Sequence, residues 1–237
     1  MKLNENQLKE IDEKGYLILP DCFSNEEVNN LRKAMTTVFN EKTEANIIEK
    51  SSGVIRTAMG LHLRSKIFDD LTRHPKFFEP ASQIRGPNLY IQQTKINVKA
   101  AFTGEVWQWH YDFATHSGED GVLKPLALNL HVFLDDVTEF NGPLFFIPKS
   151  HKYGSAPSKL DTVTTNYPLW VVDQQTVKTL VKENGIVSAR GKAGTVVIFV
   201  DNMVHGSAQN MSPMDRAIFS VILNPCEIGR ASCRERV

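Results

Sequence analysis

Cysteine is scarce: Cys22, Cys226 and Cys233 in 237 residues are too few and too irregularly spaced for a disulfide framework or a cysteine-rich zinc site. Any metal must therefore be held by nitrogen and oxygen. Positive charge is not in excess either, because Lys and Arg together number 27 and so do Asp and Glu. That leaves nothing to neutralise a phosphate backbone or an anionic bilayer, so neither nucleic acid nor membrane is expected as a partner. The longest apolar runs, such as residues 195–200, fall far short of the roughly 20 residues that span a bilayer. Residues 1–10 are polar and mixed in charge, and the chain reads as cytoplasmic. There is no glycine-rich phosphate cradle, no Gly-X-Ser-X-Gly elbow, no repeat and no Pro- or Ser-rich linker, which removes nucleotide binding, serine hydrolysis and solenoid folds.

What is present is a change of texture along the chain. Residues 5–13 are amphipathic, Tyr16-Leu17-Ile18-Leu19 is a short apolar strand closed by Pro20, and Ser24 with Glu27 forms a capping box ahead of Val28, Leu31, Met35 and Val38. Two more short helices are predicted between Ser65 and Arg85, broken at His74-Pro75. From Asn88 onward β-branched and aromatic residues dominate, predicting strands over 89–102, 126–134, 143–147, 195–200 and 217–223. One helix over 174–183, ending at Asn184-Gly185, interrupts them. The expected fold is mainly β with N-terminal helices, a single domain over 1–226. Residues 227–237 lack periodicity and resemble a translated adapter sequence; they are expected to be non-native, with a natural C-terminal tail then missing.

Trp109-His110-Tyr111-Asp112 sets a His and an Asp two apart, which in a strand puts both on one face. His205, beyond the apolar run 195–200, completes a two-His-one-carboxylate triad of the kind that binds non-haem iron(II) and leaves positions open for a 2-oxo acid and dioxygen. Arg216, eleven residues later, is placed to pair its guanidinium with a distal carboxylate. His62, His74, His131 and His151 are read as structural, and Trp107 and Trp109, alternating with the first ligand, as packing the opposite face.

Gly15-Tyr16-Leu17-Ile18-Leu19-Pro20, Gln93-Thr94-Lys95-Ile96-Asn97, Trp109-His110-Tyr111-Asp112-Phe113, Glu119-Asp120-Gly121, Asn141-Gly142-Pro143-Leu144, Ile147-Pro148-Lys149-Ser150-His151 and His205-Gly206-Ser207 with Arg216 together resemble the phytanoyl-CoA dioxygenase superfamily, in its ectoine hydroxylase-like and free L-proline hydroxylase branch. The resemblance spans most of the chain. It implies a double-stranded β-helix (jelly roll, cupin-like) with flanking helices and iron(II) on His110, Asp112 and His205. It also implies 2-oxoglutarate and O2 as co-substrates, the former held by Arg216 with Ser207, Asn97 and Gln93. The implied reaction is C–H hydroxylation with release of succinate and CO2. Lys95, His116 and Phe199 are the expected substrate-binding residues. Three departures bear on substrate and chemistry: Ile218 replaces a polar residue two places after the arginine, His116 stands where ectoine hydroxylases carry an indole, which argues against ectoine, and Asp112 argues against halogenation. The expected substrate is a small free amino acid, L-proline leading. The alternatives are a larger secondary-metabolite or carrier-bound substrate, or an inactive cupin-like metal-binding protein.

Overall fold

The computed structural model describes residues 1–228. Helix α1 (Glu5–Lys14) is capped by Asn4 and Gln7, whose side chains each accept the other's backbone N–H. It stops at Gly15, where φ is +87° and a Cβ would lie 2.4 Å from His151 Nδ1, so only glycine fits. Strand β1 (Tyr16–Leu19) follows, then α2 (Asn25–Phe39), which opens on the Ser24–Glu27 capping box as predicted. The hairpin β2 (Asn46–Ile48) and β3 (Ile55–Met59) comes next, and then α3 (Leu61–Arg64), α4 (Lys66–Thr72) and α5 (Pro75–Arg85).

The β half comprises β4 (Leu89–Lys99), β5 (Trp107–His110), α6 (Asp112–Asp120), β6 (Leu128–Phe133), β7 (Leu144–Phe146), β8 (Ser158–Asp161) and β9 (Leu169–Val172). It continues with α7 (Gln174–Asn184), β10 (Val187–Ala189), β11 (Val196–Val200), β12 (His205–Ser207) and β13 (Arg216–Pro225). All ladders are antiparallel and form two sheets, one in the order β1-β11-β6-β13-β4-β3-β2 and the other β10-β7-β12-β5-β9-β8. This two-sheet jelly roll is the double-stranded β-helix expected.

The larger sheet is covered on its outer face by the N-terminal helices. Phe219 of β13 stacks on Phe68 of α4 and Phe77 of α5, with centroids 5.2 and 6.3 Å away. Alternation then turns Arg216, Ile218 and Ser220 inward between the sheets, and all ten residues of β13 are buried. Among the described residues no helix is long and apolar enough to cross a membrane. Cys22 and Cys226 are free thiols. Of the segment read as non-native, Glu227 and Ile228 end a 3-10 turn (Cys226–Ile228); the remainder, with Cys233, lies outside the described residues.

Candidate metal centre

His110 and Asp112 do not share a strand. β5 ends at His110, Tyr111 is the N-cap, and Asp112 is the first residue of α6. The expectation of one strand face is therefore corrected: a strand end and a helix start converge. His205 lies on β12, directly opposite His110 in the ladder. His110 Nε2 is 3.8 Å from Asp112 Oδ1, the two imidazole centroids are 4.1 Å apart, and one donor atom from each of the three residues lies within 4.8 Å of the others.

Each imidazole is aimed by its own backbone. Nδ1 of His110 donates to Gln108 O at 2.6 Å and Nδ1 of His205 to Met203 O at 2.9 Å, which leaves Nε2 of each ring as the lone-pair donor to a metal. Burial, reinforced by the charge of His205, pushes His110 down to about 3, and burial lowers His205 too. Burial would raise Asp112, but His205, Lys95 and His110 hold it below the usual carboxylate range. At neutral pH all three groups are in their metal-binding forms.

A β-bulge shapes the rest of the site. His205 pairs with His110 but Ser207 pairs with Trp107, so three steps on β5 match two on β12, and Trp107 faces inward with His110. This overturns the reading of Trp107 as packed on the opposite face; Trp109 does pack away, near Phe145 at 6.4 Å. The motif residues around Ser150 and His151 serve this strand pair. Ser150 Oγ accepts from Val204 N–H at 2.9 Å, and Asn202 Nδ2 donates to His151 O at 2.7 Å, fixing the segment that delivers His205.

Beside the triad a narrow inner chamber of about 30 Å³ is lined by Asn97, Asn129, His131, Arg216 and Ile218, among others. Arg216 is 1% exposed and forms no ion pair among the described residues, and its Nε has no partner. Burial and the cation Arg56 push it down to about 9. Both amide atoms of Asn129 and both ring nitrogens of His131 are likewise buried without a partner; Ser207 Oγ is also unpartnered, but Ser207 lines neither this chamber nor the outer cavity. A buried guanidinium that shares a chamber with the unsatisfied polar atoms of Asn129 and His131 calls for an anion with several acceptor oxygens, and an elongated dicarboxylate such as 2-oxoglutarate fits that donor set. Ile218 supplies an apolar wall. Asn97 lines the chamber and accepts a 2.9 Å hydrogen bond from Thr57 Oγ1.

The chamber opens past Lys95, Trp107, His110 and Asp112 into a cavity of about 430 Å³, within the range of small-molecule sites. Gln93 lines this outer cavity and not the chamber that holds Arg216, so its expected hold on 2-oxoglutarate is corrected to a place on the outer side, where Lys95 and His116 also lie. Phe199 lines neither cavity. It is 1% exposed and packs edge-on behind His205 at 5.0 Å, between His131 and Phe146, so its expected substrate contact is corrected to a packing role. Asn129 and His131 went unrecognised as site residues, His131 having been read as structural. Their signal was two polar residues at strand spacing within the otherwise apolar 128–133.

The family model described as phytanoyl-CoA dioxygenase (PhyH) matches residues 11–218. The ectoine dioxygenase of Bordetella parapertussis is 34% identical over 95% of this chain and 76% of its own length. The L-proline trans-4-hydroxylase of Streptomyces griseoviridis is 32% identical over 89% of this chain and 82% of its own. Two crystal structures of EctD from S. alaskensis are also similar. The one with 2-oxoglutarate and 5-hydroxyectoine has a TM-score of 0.84 at 32% identity, covering 95% of this chain and 77% of that one. The one with bound Fe has a TM-score of 0.83 at 31% identity, covering 95% and 78%. With the fold, the convergent His-Asp-His cluster and the matched family model in agreement, the chain belongs to the phytanoyl-CoA dioxygenase family and is an oxygenase.

Proposed function

We propose that this chain is an iron(II)- and 2-oxoglutarate-dependent hydroxylase of a small amino-acid-like substrate, with L-proline the leading candidate. In this reading His110, Asp112 and His205 hold iron, leaving one side of the ion for the co-substrates. Bound iron, 2-oxoglutarate and dioxygen supply the oxidising power that inserts oxygen into a C–H bond, with release of succinate and CO2. The chain supplies position. Arg216 neutralises the distal carboxylate of 2-oxoglutarate, with Asn97 beside it and Asn129 and His131 as further polar partners. Lys95, His116 and Gln93 face the substrate, and the apolar wall of Trp107, Tyr167 and Leu169 keeps water from the reacting carbon.

The observation that carries this reading is Arg216, a fully buried cation without a carboxylate partner among the described residues, next to the His-Asp-His cluster. A protein that only bound metal would have no use for it, and burying it would be a net cost. L-proline is favoured by the likeness to L-proline trans-4-hydroxylase and by His116, where an indole would be expected for ectoine. Ectoine is the second reading, favoured by the likeness to ectoine dioxygenases. Both are free metabolites, which accords with a cytoplasmic enzyme.

The test is anaerobic reconstitution with iron(II) and 2-oxoglutarate, then air, with a panel of free amino acids and ectoine, following succinate and a one-oxygen mass gain. A gain on L-proline or on ectoine decides between the two. Succinate with no gain on any member would redirect the search to larger substrates, and no succinate at all would refute the oxygenase reading.

A further inference from the structure

Helix α6 carries one face that the metal centre does not use up. Asp112, His116 and Asp120 recur at four-residue intervals, all three line the outer cavity, and at 1.5 Å rise per residue each step along the helix is about 6 Å. His116 is 4% exposed and Asp201, at the end of β11, is 1% exposed. His116 Nδ1 donates to Asp201 Oδ1 at 2.8 Å. Asp201 is itself immobilised, its carbonyl accepting from Phe113 N–H at 3.0 Å and its own N–H donating to Ala127 O at 3.1 Å. A buried carboxylate needs a countercharge, and His116 is the partner within hydrogen-bond reach. Nε2, the ring's remaining polar atom, makes no hydrogen bond among the described residues and is left for the cavity. Burial would lower His116, but Asp201 and Asp112 together raise it, while burial raises Asp201 in turn. Lys95 reaches the same cavity from β4, and its ammonium makes no hydrogen bond or ion pair among the described residues. Asp120, one turn beyond His116, likewise makes no ion pair there.

We propose that this face of α6 reads the two charged ends of a zwitterionic substrate: His116, held in place by Asp201, takes the carboxylate together with Lys95, and Asp120 takes the ammonium. The proposal rests on the amino-acid reading above and sharpens it. The charged end is anchored one and two turns away from Asp112, so the carbon presented to the metal ligands is remote from the α-carbon. Asp201 touches no substrate and acts as a positioning residue for His116.

The experiment is anaerobic calorimetry on protein loaded with iron(II) and 2-oxoglutarate, titrating L-proline, ectoine and the carboxamide of each into wild type, His116→Gln, Asp201→Asn and Asp120→Asn, with iron content measured on every sample. For whichever amino acid the wild type binds, its carboxamide should bind at least ten-fold more weakly. In His116→Gln and Asp201→Asn that gap should shrink to three-fold or less, with iron content unchanged. Asp120→Asn, on a partly exposed residue, should weaken the amino acid and its carboxamide alike. A carboxylate–carboxamide gap that survives in His116→Gln would overturn the proposal, as would loss of iron in Asp201→Asn, which would make the pair a staple for α6. Wild type that binds neither L-proline nor ectoine would instead refute the amino-acid reading itself, a result separable from any variant's behaviour.

Discussion

Replacing Arg216 with methionine should act in opposite directions on the empty and the ligand-bound protein. The guanidinium is 1% exposed, faces no carboxylate among the described residues within ion-pair distance, and is pushed down from its ordinary value to about 9 by burial and by Arg56. A displacement of that size disfavours the charged form by roughly 5 kcal/mol, and exchanging such a group for a well-packed apolar one is often neutral or stabilising by about 1–4 kcal/mol. Arg216→Met without 2-oxoglutarate should therefore melt at or above the wild-type temperature. With 2-oxoglutarate the order reverses. Truncating one partner of a buried charge pair costs about 2–5 kcal/mol in binding, which is at least about 30-fold in Kd. At a ligand concentration of about 100 times the wild-type Kd, wild type gains about 2.7 kcal/mol, or roughly 5–10 °C for a chain of this size. The variant gains less than about 1 kcal/mol under the same conditions. Anaerobic thermal melts of the iron-loaded proteins, with and without 2-oxoglutarate, measure both effects. Equal 2-oxoglutarate stabilisation of wild type and variant would refute the assignment of Arg216 as the anion site. A large drop in the ligand-free variant would show instead that the guanidinium anchors the fold.

Three further outcomes are expected. Asp112→Ala should lose hydroxylation and most of its iron: changes one shell further out already cost about 10–100-fold, so metal affinity should fall by more than about 100-fold, read as iron per protein after dialysis. Gly142→Ala should lower stability by about 3 kcal/mol and the melting temperature by roughly 6–12 °C. Its φ is +73° and a Cβ would sit 2.6 Å from Lys99 Cδ and 2.9 Å from Ala208 O, whereas Gly86→Ala, at φ +83° with open space around it, should lose only the backbone part. Glu27 is held down to about 2, burial opposing and Lys76 and the Ser24 cap prevailing. Its contribution is thus complete above the ordinary value near 4.3 and disappears as pH falls toward 2. With its side chain 38% exposed that contribution is about 0.5–1 kcal/mol, and denaturant melts of wild type and Glu27→Gln should differ at pH 7 and converge at pH 2.

The fold was legible wherever a local rule decides it. The Ser24–Glu27 box, the break at His74-Pro75 and the glycine after Asn184 each satisfy or deny specific backbone hydrogen bonds, and each marks a boundary in the structure. The short strands β2, β3, β8, β9 and β10 were not legible. Three to five residues long, they are strands because a neighbour pairs with them, not because their own residues demand it. The same holds for the break after His110. His-X-Asp reads as two teeth on one strand face, yet Tyr111 leaves the sheet and Asp112 begins a helix. The bulge beside it depends on a pairing made about a hundred residues away in sequence. Gly142 shows the reverse case: a glycine in a distinctive sequence motif whose reason is buried Lys99, which threads past it to donate to the carbonyls of Glu105 and Ala208.

The seven histidines show what sequence could and could not sort. All are chemically alike, and what separates them is where each ring's two nitrogens go. His74 Nδ1 caps α5, His151 Nε2 lies 3.1 Å from Asp12 O, and His62 Nδ1 lies 2.8 Å from Thr94 Oγ1; all three are engaged by the scaffold. His110 and His205 each commit Nδ1 to the carbonyl two residues back, a local contact that turns Nε2 toward a common point. His116 commits Nδ1 to a distant carboxylate instead and keeps Nε2 for the cavity. His131 commits neither nitrogen. Buried, held neutral by desolvation well below its ordinary pKa, and next to Arg216 in the inner chamber, it is the ring most in want of a partner. An imidazole left without one costs stability, so its place on β6 makes sense only if something other than protein completes it. By that reasoning His131→Phe, which keeps the ring's packing against Phe199 and removes both nitrogens, should raise the melting temperature of the ligand-free protein and weaken 2-oxoglutarate. A variant that melts lower and binds 2-oxoglutarate as well as wild type would show that His131 is satisfied within the fold after all.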